Sequence, residues 1–324
     1  MIDRILQSTR RVLLAVVLAS LAAAAVAAPP VPATVRAPAA ASASRAAKAL
    51  NDADQFALIS GRGSVHACQA GFESLRHAAL QGKASDQLTL GALYLHGRDC
   101  GSFHLARDDD KAVLYLEHAA IQGRLLAMPA LAELEVRRGH ALEANVWALA
   151  YLHYAVPAQQ DTGYPASLLH RTLGMLSKTQ NKQVLADANA FILRYNAGIE
   201  AGLHRQMLTL ARKPTACRLR PVDAHHRVHL PQPFSQIRIR PMRRALVLYL
   251  VAFGRDGRVH KLAPVFAVPR WRDARRLRTI SGYRRVQPAP ACGQALRWAL
   301  LPVELDNQRY RITGRTADSH AHGS

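Results

Sequence analysis

Seven residues occur almost verbatim twice. Arg76-His77-Ala78-Ala79-Leu80-Gln81-Gly82 returns as Glu117-His118-Ala119-Ala120-Ile121-Gln122-Gly123, a shift of 41 residues. Leu90-Gly91 has its partner in Leu131-Ala132 at the same offset. A fixed period of that size is the mark of a stacked repeat, in which each unit hides its apolar face only against its neighbours. Within one period, residues 88–123 carry two apolar stripes. Leu90, Leu93, Tyr94 and Gly97 fall at i, i+3, i+4, i+7, and Ala112, Leu116, Ala119 and Ala120 at i, i+4, i+7, i+8. Both spacings predict helices rather than strands. Gly97 and Gly123 stand where those helices would stop, because glycine enters the left-handed conformation without strain. Asp108, Asp109 and Asp110 precede the second helix, where the dipole favours negative charge. The unit is therefore a helix–loop–helix hairpin.

The residues of this unit resemble the Sel-one-like repeat, a relative of the tetratricopeptide repeat. The resemblance rests on Leu90, Gly91, Tyr94, Gly97, Lys111, Ala112, Tyr115, Ala119, Ala120, Gln122 and Gly123. It spans about residues 52–156, with a third unit marked by Ala144, Trp147 and Ala150 and a loop lengthened at 98–107. It implies an all-α helical-repeat solenoid that binds other proteins and is not an enzyme. Tyr94, Tyr115, Trp147, Tyr151 and Tyr154 sit at helical spacing; most are expected between repeats, with some on the concave surface where solenoids bind peptides.

Residues 51–157 offer two and a half units where about three are needed for stability. The helix-spaced apolar residues of 158–212 (Leu168, Leu169, Leu173 and Leu176, then Val184, Leu185, Ala188, Phe191, Ile192 and Tyr195) are expected to close the stack as non-repeat capping helices. Gly174, Gly198 and Gly202 would punctuate them.

Ahead of the array, Arg4, Arg10 and Arg11 precede an uncharged run from Val12 to Ala28, and Ala25-Val26-Ala27 supplies small residues for cleavage. Residues 1–28 read as a signal peptide, cleaved near Ala27 to release a periplasmic protein, with an uncleaved inner-membrane anchor as the alternative. Residues 29–50, rich in proline and alanine, read as a disordered linker.

Export makes the four cysteines informative. Antiparallel helices across a tight turn at Gly82 set Cys68, at the start of one, beside the end of the next, just before Cys100. That geometry favours Cys68–Cys100 and leaves Cys217 with Cys292. Four buried free thiols are the alternative.

Residues 213–235 form a second linker, and residues 236–312 change period. Ala245–Phe253 is a continuous apolar run, Gly254-Arg255-Asp256-Gly257 a hairpin turn, Arg258–Val268 a returning strand, Trp271–Ser281 an arginine-rich helix and Ala295–Leu305 a last strand. Pro302 is more comfortable there at an edge or a bulge. With the turn at Gly254 and the stretch from Tyr283 through Pro288-Ala289 to Gly293, this β–β–α–β order resembles the C-terminal domain of TonB-type energy transducers. The resemblance implies a small α+β domain that adds a partner strand at its sheet edge, near Leu300–Ile312 here. Val12–Ala28 carries no histidine of the kind that couples that family's anchor to a motor. Residues 313–324 read as a disordered tail.

Between Arg212 and Arg315, 23 Lys and Arg stand against 5 Asp and Glu. A genome that writes arginine at exposed positions accounts for this, as does an anionic surface as partner. Nucleic acid would fit the charge too, but the export signal argues against it, and none is expected as a partner. Catalytic motifs, cofactor loops and closed metal sites are not expected. Glu133 and Glu135 point to different faces of a helix. His225, His226 and His229, or His96, Cys100 and His104, are at best weak ligand sets and read better as surface histidines. The expected function is an exported, non-enzymatic protein–protein adaptor of the cell envelope, contacting an outer-membrane receptor or cell-wall machinery. An energy transducer for receptor uptake is the alternative.

Overall fold

The computed structural model describes residues 51–155, 163–220, 237–238, 244–268, 286–306 and 311–312. The signal segment, the first linker, residues 221–235 of the second with His225, His226 and His229, the arginine-rich segment 271–281 and the tail lie outside the described residues.

Helices come in antiparallel pairs. The first spans residues 51–60 (α1), followed by Val65–Leu80 (α2), Ala84–His96 (α3), Asp109–Ile121 (α4), Ala127–Arg138 (α5) and Ala141–Ala155 (α6). Gly163–Leu173 (α7) and Lys178–Arg212 (α8) complete them. Their starts are written in the sequence. Ser64 accepts from the Ala67 N–H at 3.1 Å, Asp108 from the Lys111 N–H at 2.9 Å, and Ser177 forms a reciprocal capping box with Gln180.

The repeated words form equivalent turns. Gly82 N–H donates to the Ala79 carbonyl at 3.0 Å and Lys83 N–H to that of Ala78 at 3.1 Å; 41 residues on, Gly123 donates to Ala120 and Arg124 to Ala119, both at 2.9 Å. The two glycines carry φ of +76° and +84°, which a side chain would strain. The two units also touch, because Gln122 donates to Gln87 at 2.7 Å and Gln87 to the Ala79 carbonyl at 3.1 Å. Within one unit Gly91 lets α3 and α4 close up, since a Cβ there would lie 2.8 Å from Cγ of Leu116.

Two expectations change. The lengthened loop holds a small hairpin, Arg98–Cys100 (β1) with Phe103–Leu105 (β2), turning at Gly101. Three-residue strands are too short for periodicity to reveal. Gly198 and Gly202 do not punctuate anything either; both lie inside α8, which runs unbroken for 35 residues. Their use is close approach. A Cβ on Gly202 would stand 1.9 Å from the Gln122 carbonyl oxygen, so the bare backbone of α8 rests on the α4–α5 turn.

The remaining strands are Ile237–Arg238 (β3), Arg244–Gly254 (β4), Val259–Val268 (β5), Leu296–Asp306 (β6) and Arg311–Ile312 (β7). They form an antiparallel sheet in the order β5-β4-β6 and a separate β3–β7 pair. β4 is central and apolar on both faces, which explains its uninterrupted hydrophobic run. Leu246 and Leu248 join Ala263, Val265, Phe266 and Val268 in one buried cluster with the helices. Ala245, Val247, Tyr249, Val251 and Phe253 form a second cluster on the opposite face, with Val286 and Val303. Pro302 lies on β6, an edge strand of the three. Among the described residues no helix is long and apolar enough to cross a membrane.

Candidate functional site

The sheet does not sit at random on the helices. Its β5 packs on α3 and α5 and its β4 on α7, while Phe56 of α1 meets Trp298 of β6 in a tilted ring contact, 5.4 Å between centres. Lys261 lies over both rings, 5.3 Å and 6.0 Å from their centres. Every helix in these contacts is the first of its pair. The second helices turn the other way: α4 and α6 pack against α8, with Trp147 against Phe191 at 4.7 Å and Tyr154 donating to Asn196 at 2.9 Å. The face formed by the first helices, where a peptide groove is expected, is covered by this chain's own sheet.

At one end of that covered face a cleft of about 620 Å³ opens between the α1–α2 turn, the β1–β2 hairpin and β5. Arg62, Arg98, Asp99, His104 and Arg107 line it, with Pro264, Val265, Phe266 and Ala267 as its sheet wall. The Arg98 guanidinium reaches across and lies 3.5 Å from the Pro264 and 3.4 Å from the Val265 carbonyl oxygen, a long bifurcated donation to strand backbone. Burial pushes its pKa down, opposed by Asp99. His104 meets Asp99 at 2.5 Å across the hairpin. Arg107 grips Asp109 through two bonds of 2.8 and 2.6 Å, and that contact raises the arginine's pKa and lowers the carboxylate's. Fixed cations, one strand edge and an open volume suit this cleft to an extended or acidic polypeptide.

The structure joins the four cysteines in two pairs, Cys68–Cys100 and Cys217–Cys292. The first ties the start of α2 to β1 and so holds one wall of the cleft; the second ties the segment after α8 to the one before β6. Cys100 is thereby unavailable as a ligand beside His96 and His104, and the described residues contain no group of three or more His, Cys, Asp or Glu able to hold a metal. Tyr94, Trp147, Tyr151 and Tyr154 are buried and Tyr115 half-buried, stacked on Tyr94 at 6.0 Å. They are packing groups. Glu133 and Glu135 do point apart: Glu133 holds Arg171 and accepts from the Tyr164 hydroxyl at 3.0 Å, and Glu135 meets His140 at 2.7 Å. Of Asp108–Asp110, the first caps α4 and the other two pair with arginines of α5, Asp109 with Arg137 at 2.9 Å and Asp110 with Arg138 at 3.2 Å. Among the described residues β6, the strand containing Leu300, pairs only with β4. The cleft itself was not foreseen; the one sequence signal for it was the unusual length of residues 98–107.

No protein-family model matches this chain, and no curated protein does. A search of solved structures returns the crystal structure of c5321, described as a protective antigen of uropathogenic Escherichia coli strains displaying an SLR fold. Identity is 22%, the match covers 52% of this chain and 34% of that one, and the TM-score is 0.38. At that score the likeness carries no weight. The chain's own geometry defines the class: consecutive helix hairpins, set 41 residues apart where they are clearest, bearing a small antiparallel sheet.

Proposed function

We propose that this chain is an exported, non-enzymatic binding scaffold of the cell envelope. One observation carries the reading. The helix-hairpin face already holds a β-strand, through apolar side chains and through Arg98 against strand carbonyls. Beside that contact lies an open cleft with the same chemistry, fit for a protein partner such as an outer-membrane receptor or cell-wall machinery. The array acts as a repeat solenoid whose concave side is filled by the sheet, leaving the cleft as the docking place. Two disulfides support an oxidising compartment, which export of the chain would supply. A photo-crosslinking residue at Arg62 or His104 should trap an envelope protein, and one at Lys182 on α8 should not. Equal adducts at all three positions, or none, would refute the proposal.

The second reading, an energy transducer resembling the TonB type, is favoured by the half-paired edge of β6. It requires an uncleaved, membrane-held N-terminus. Mature protein beginning near Ala28 in the soluble periplasmic fraction eliminates it; intact protein in the inner membrane favours it over the adaptor.

A further inference from the structure

On the other side of the array, α8 crosses the two repeat turns and leaves a cleft of about 480 Å³. We propose that it binds the phosphate group of an anionic lipid headgroup.

Four of its lining residues are cations, Lys83, Arg124, Arg205 and Lys213, and none is a carboxylate. Their convergence follows from the fold. Lys83 and Arg124 are equivalent residues of successive units, 41 apart, each following a positive-φ glycine and each closing the same backbone turn. The α8 backbone is pressed onto the second turn through Gly202, which brings Arg205 and Lys213, on the lining face of its last turns, against them. Gln206 fastens the contact, donating to the Gly123 carbonyl at 2.8 Å and accepting from Arg124 at 3.1 Å.

Two details suit an oxyanion, against one carboxylate, Asp86, in the first turn of α3. The Arg124 Nε is buried without a hydrogen-bond partner among the described residues, and burial lowers that guanidinium's pKa, opposed by Asp86. The carbonyls at the end of α8, which would repel an anion, are occupied: Arg218 donates to those of Ala211 and Lys213. The rim is apolar. Leu210 lines the cleft at 59% exposure, and Leu80, two residues before Gly82, is 67% exposed. Met207, beside Gln206 on α8, is 62% exposed. Cations in a cleft lined by exposed Leu210, with exposed Leu80 and Met207 next to its lining segments in sequence, match a headgroup and the acyl boundary beneath it.

Diffuse attraction is the rival, because the chain carries a net charge of +21. The test therefore matches charge. Lys83→Glu/Arg205→Glu is compared with Lys178→Glu/Lys182→Glu, placed at the far end of α8 about 35–40 Å from Arg205 at 1.5 Å per residue. Sedimentation with phosphatidylglycerol/phosphatidylcholine vesicles should fall about tenfold or more for the first pair and about twofold or less for the second, with no binding to phosphatidylcholine alone. Leu80→Ser/Leu210→Ser should weaken vesicle binding while titration with inorganic phosphate is unchanged. Equal losses for the two charge pairs, or no vesicle binding, would overturn the proposal. So would binding of inorganic phosphate without binding of vesicles. Circular dichroism of each variant must match the parent. The cleft shares no lining residue with the one beside β5, so its failure would leave the scaffold reading intact.

Discussion

Cutting the bond between Cys68 and Cys100 tests the array most directly. The pair closes a loop of 32 residues that contains the whole of α2's remainder, α3 and the first strand of the hairpin. Loop-closure entropy for that length gives about 3.7 kcal/mol of stabilisation at 25 °C. Both cysteines are fully buried, so Cys68→Ala/Cys100→Ala strands no polar group and adds only a small cavity. For a unit of this size each kcal/mol moves Tm by roughly 2–4 °C, which predicts a fall of roughly 7–15 °C. Thermal and urea unfolding should be run on the oxidised parent, the reduced parent and the double variant. Reduction opens Cys217–Cys292 as well, so the reduced parent should fall further than the double variant. A double variant within about 1 kcal/mol of the oxidised parent would mean that helix packing alone holds α2, α3 and the hairpin in register.

Other outcomes follow from the same geometry. Gly202→Ala should cost roughly 1–3 kcal/mol in urea unfolding, since its Cβ would collide with the Gln122 carbonyl. Gly198→Ala, whose Cβ would lie 3.1 Å from the Ile121 carbonyl, should come near neutral, because the small clash is offset by about 1 kcal/mol of helix propensity. Phe266→Ala should cost roughly 3–5 kcal/mol and raise the rate at which protease cuts the sheet, because Phe266 is buried between sheet and helices. Burial pushes the Tyr154 hydroxyl up to about 12 from an ordinary 10.0. The folded state then keeps its proton where the unfolded state has lost it. The stability this contributes is present below pH 10 and lost as pH rises from 10 to 12. Tyr154→Phe should flatten that part of the stability–pH curve, with Tyr94 and Tyr164, both also raised by burial, supplying what slope remains.

How much was legible depended on the kind of interaction. Local signals carried far: the Gly82 and Gly123 turns, the Asp108 cap and the run Ala245–Phe253 are each fixed by residues within a few positions. Contacts between distant segments left weaker traces. Gly198 and Gly202 read as breakers because glycine is a poor helix former, and only the packed turn at Gln122 shows that the missing Cβ is the requirement. The two apolar faces of β4 were visible as a continuous run, but not that one of them meets the helices. Both clefts depend on side chains brought together from far apart, such as Arg98 with Pro264 and Arg124 with Gln206, so no window of sequence contains them.

A stack of helix hairpins has two broad faces, and here each is covered from within the chain. The first helices carry the sheet and the second helices carry α8. Uncovering the first face would expose Leu248, Val265 and Phe266, which are almost wholly buried. At roughly 1.5–3 kcal/mol for each such side chain, exposing these three costs about 4.5–9 kcal/mol, comparable with the whole return of a micromolar partner. The sheet is therefore part of the array's core rather than a removable occupant. Among the described residues, partners are left with the margins: the cleft beside β5, the edge of β6 away from β4 and the cation-lined hollow under α8. A variant that disables one margin while leaving Tm unchanged would separate recognition from folding. A partner that binds only after Phe266→Ala loosens the sheet would instead place recognition on the covered face.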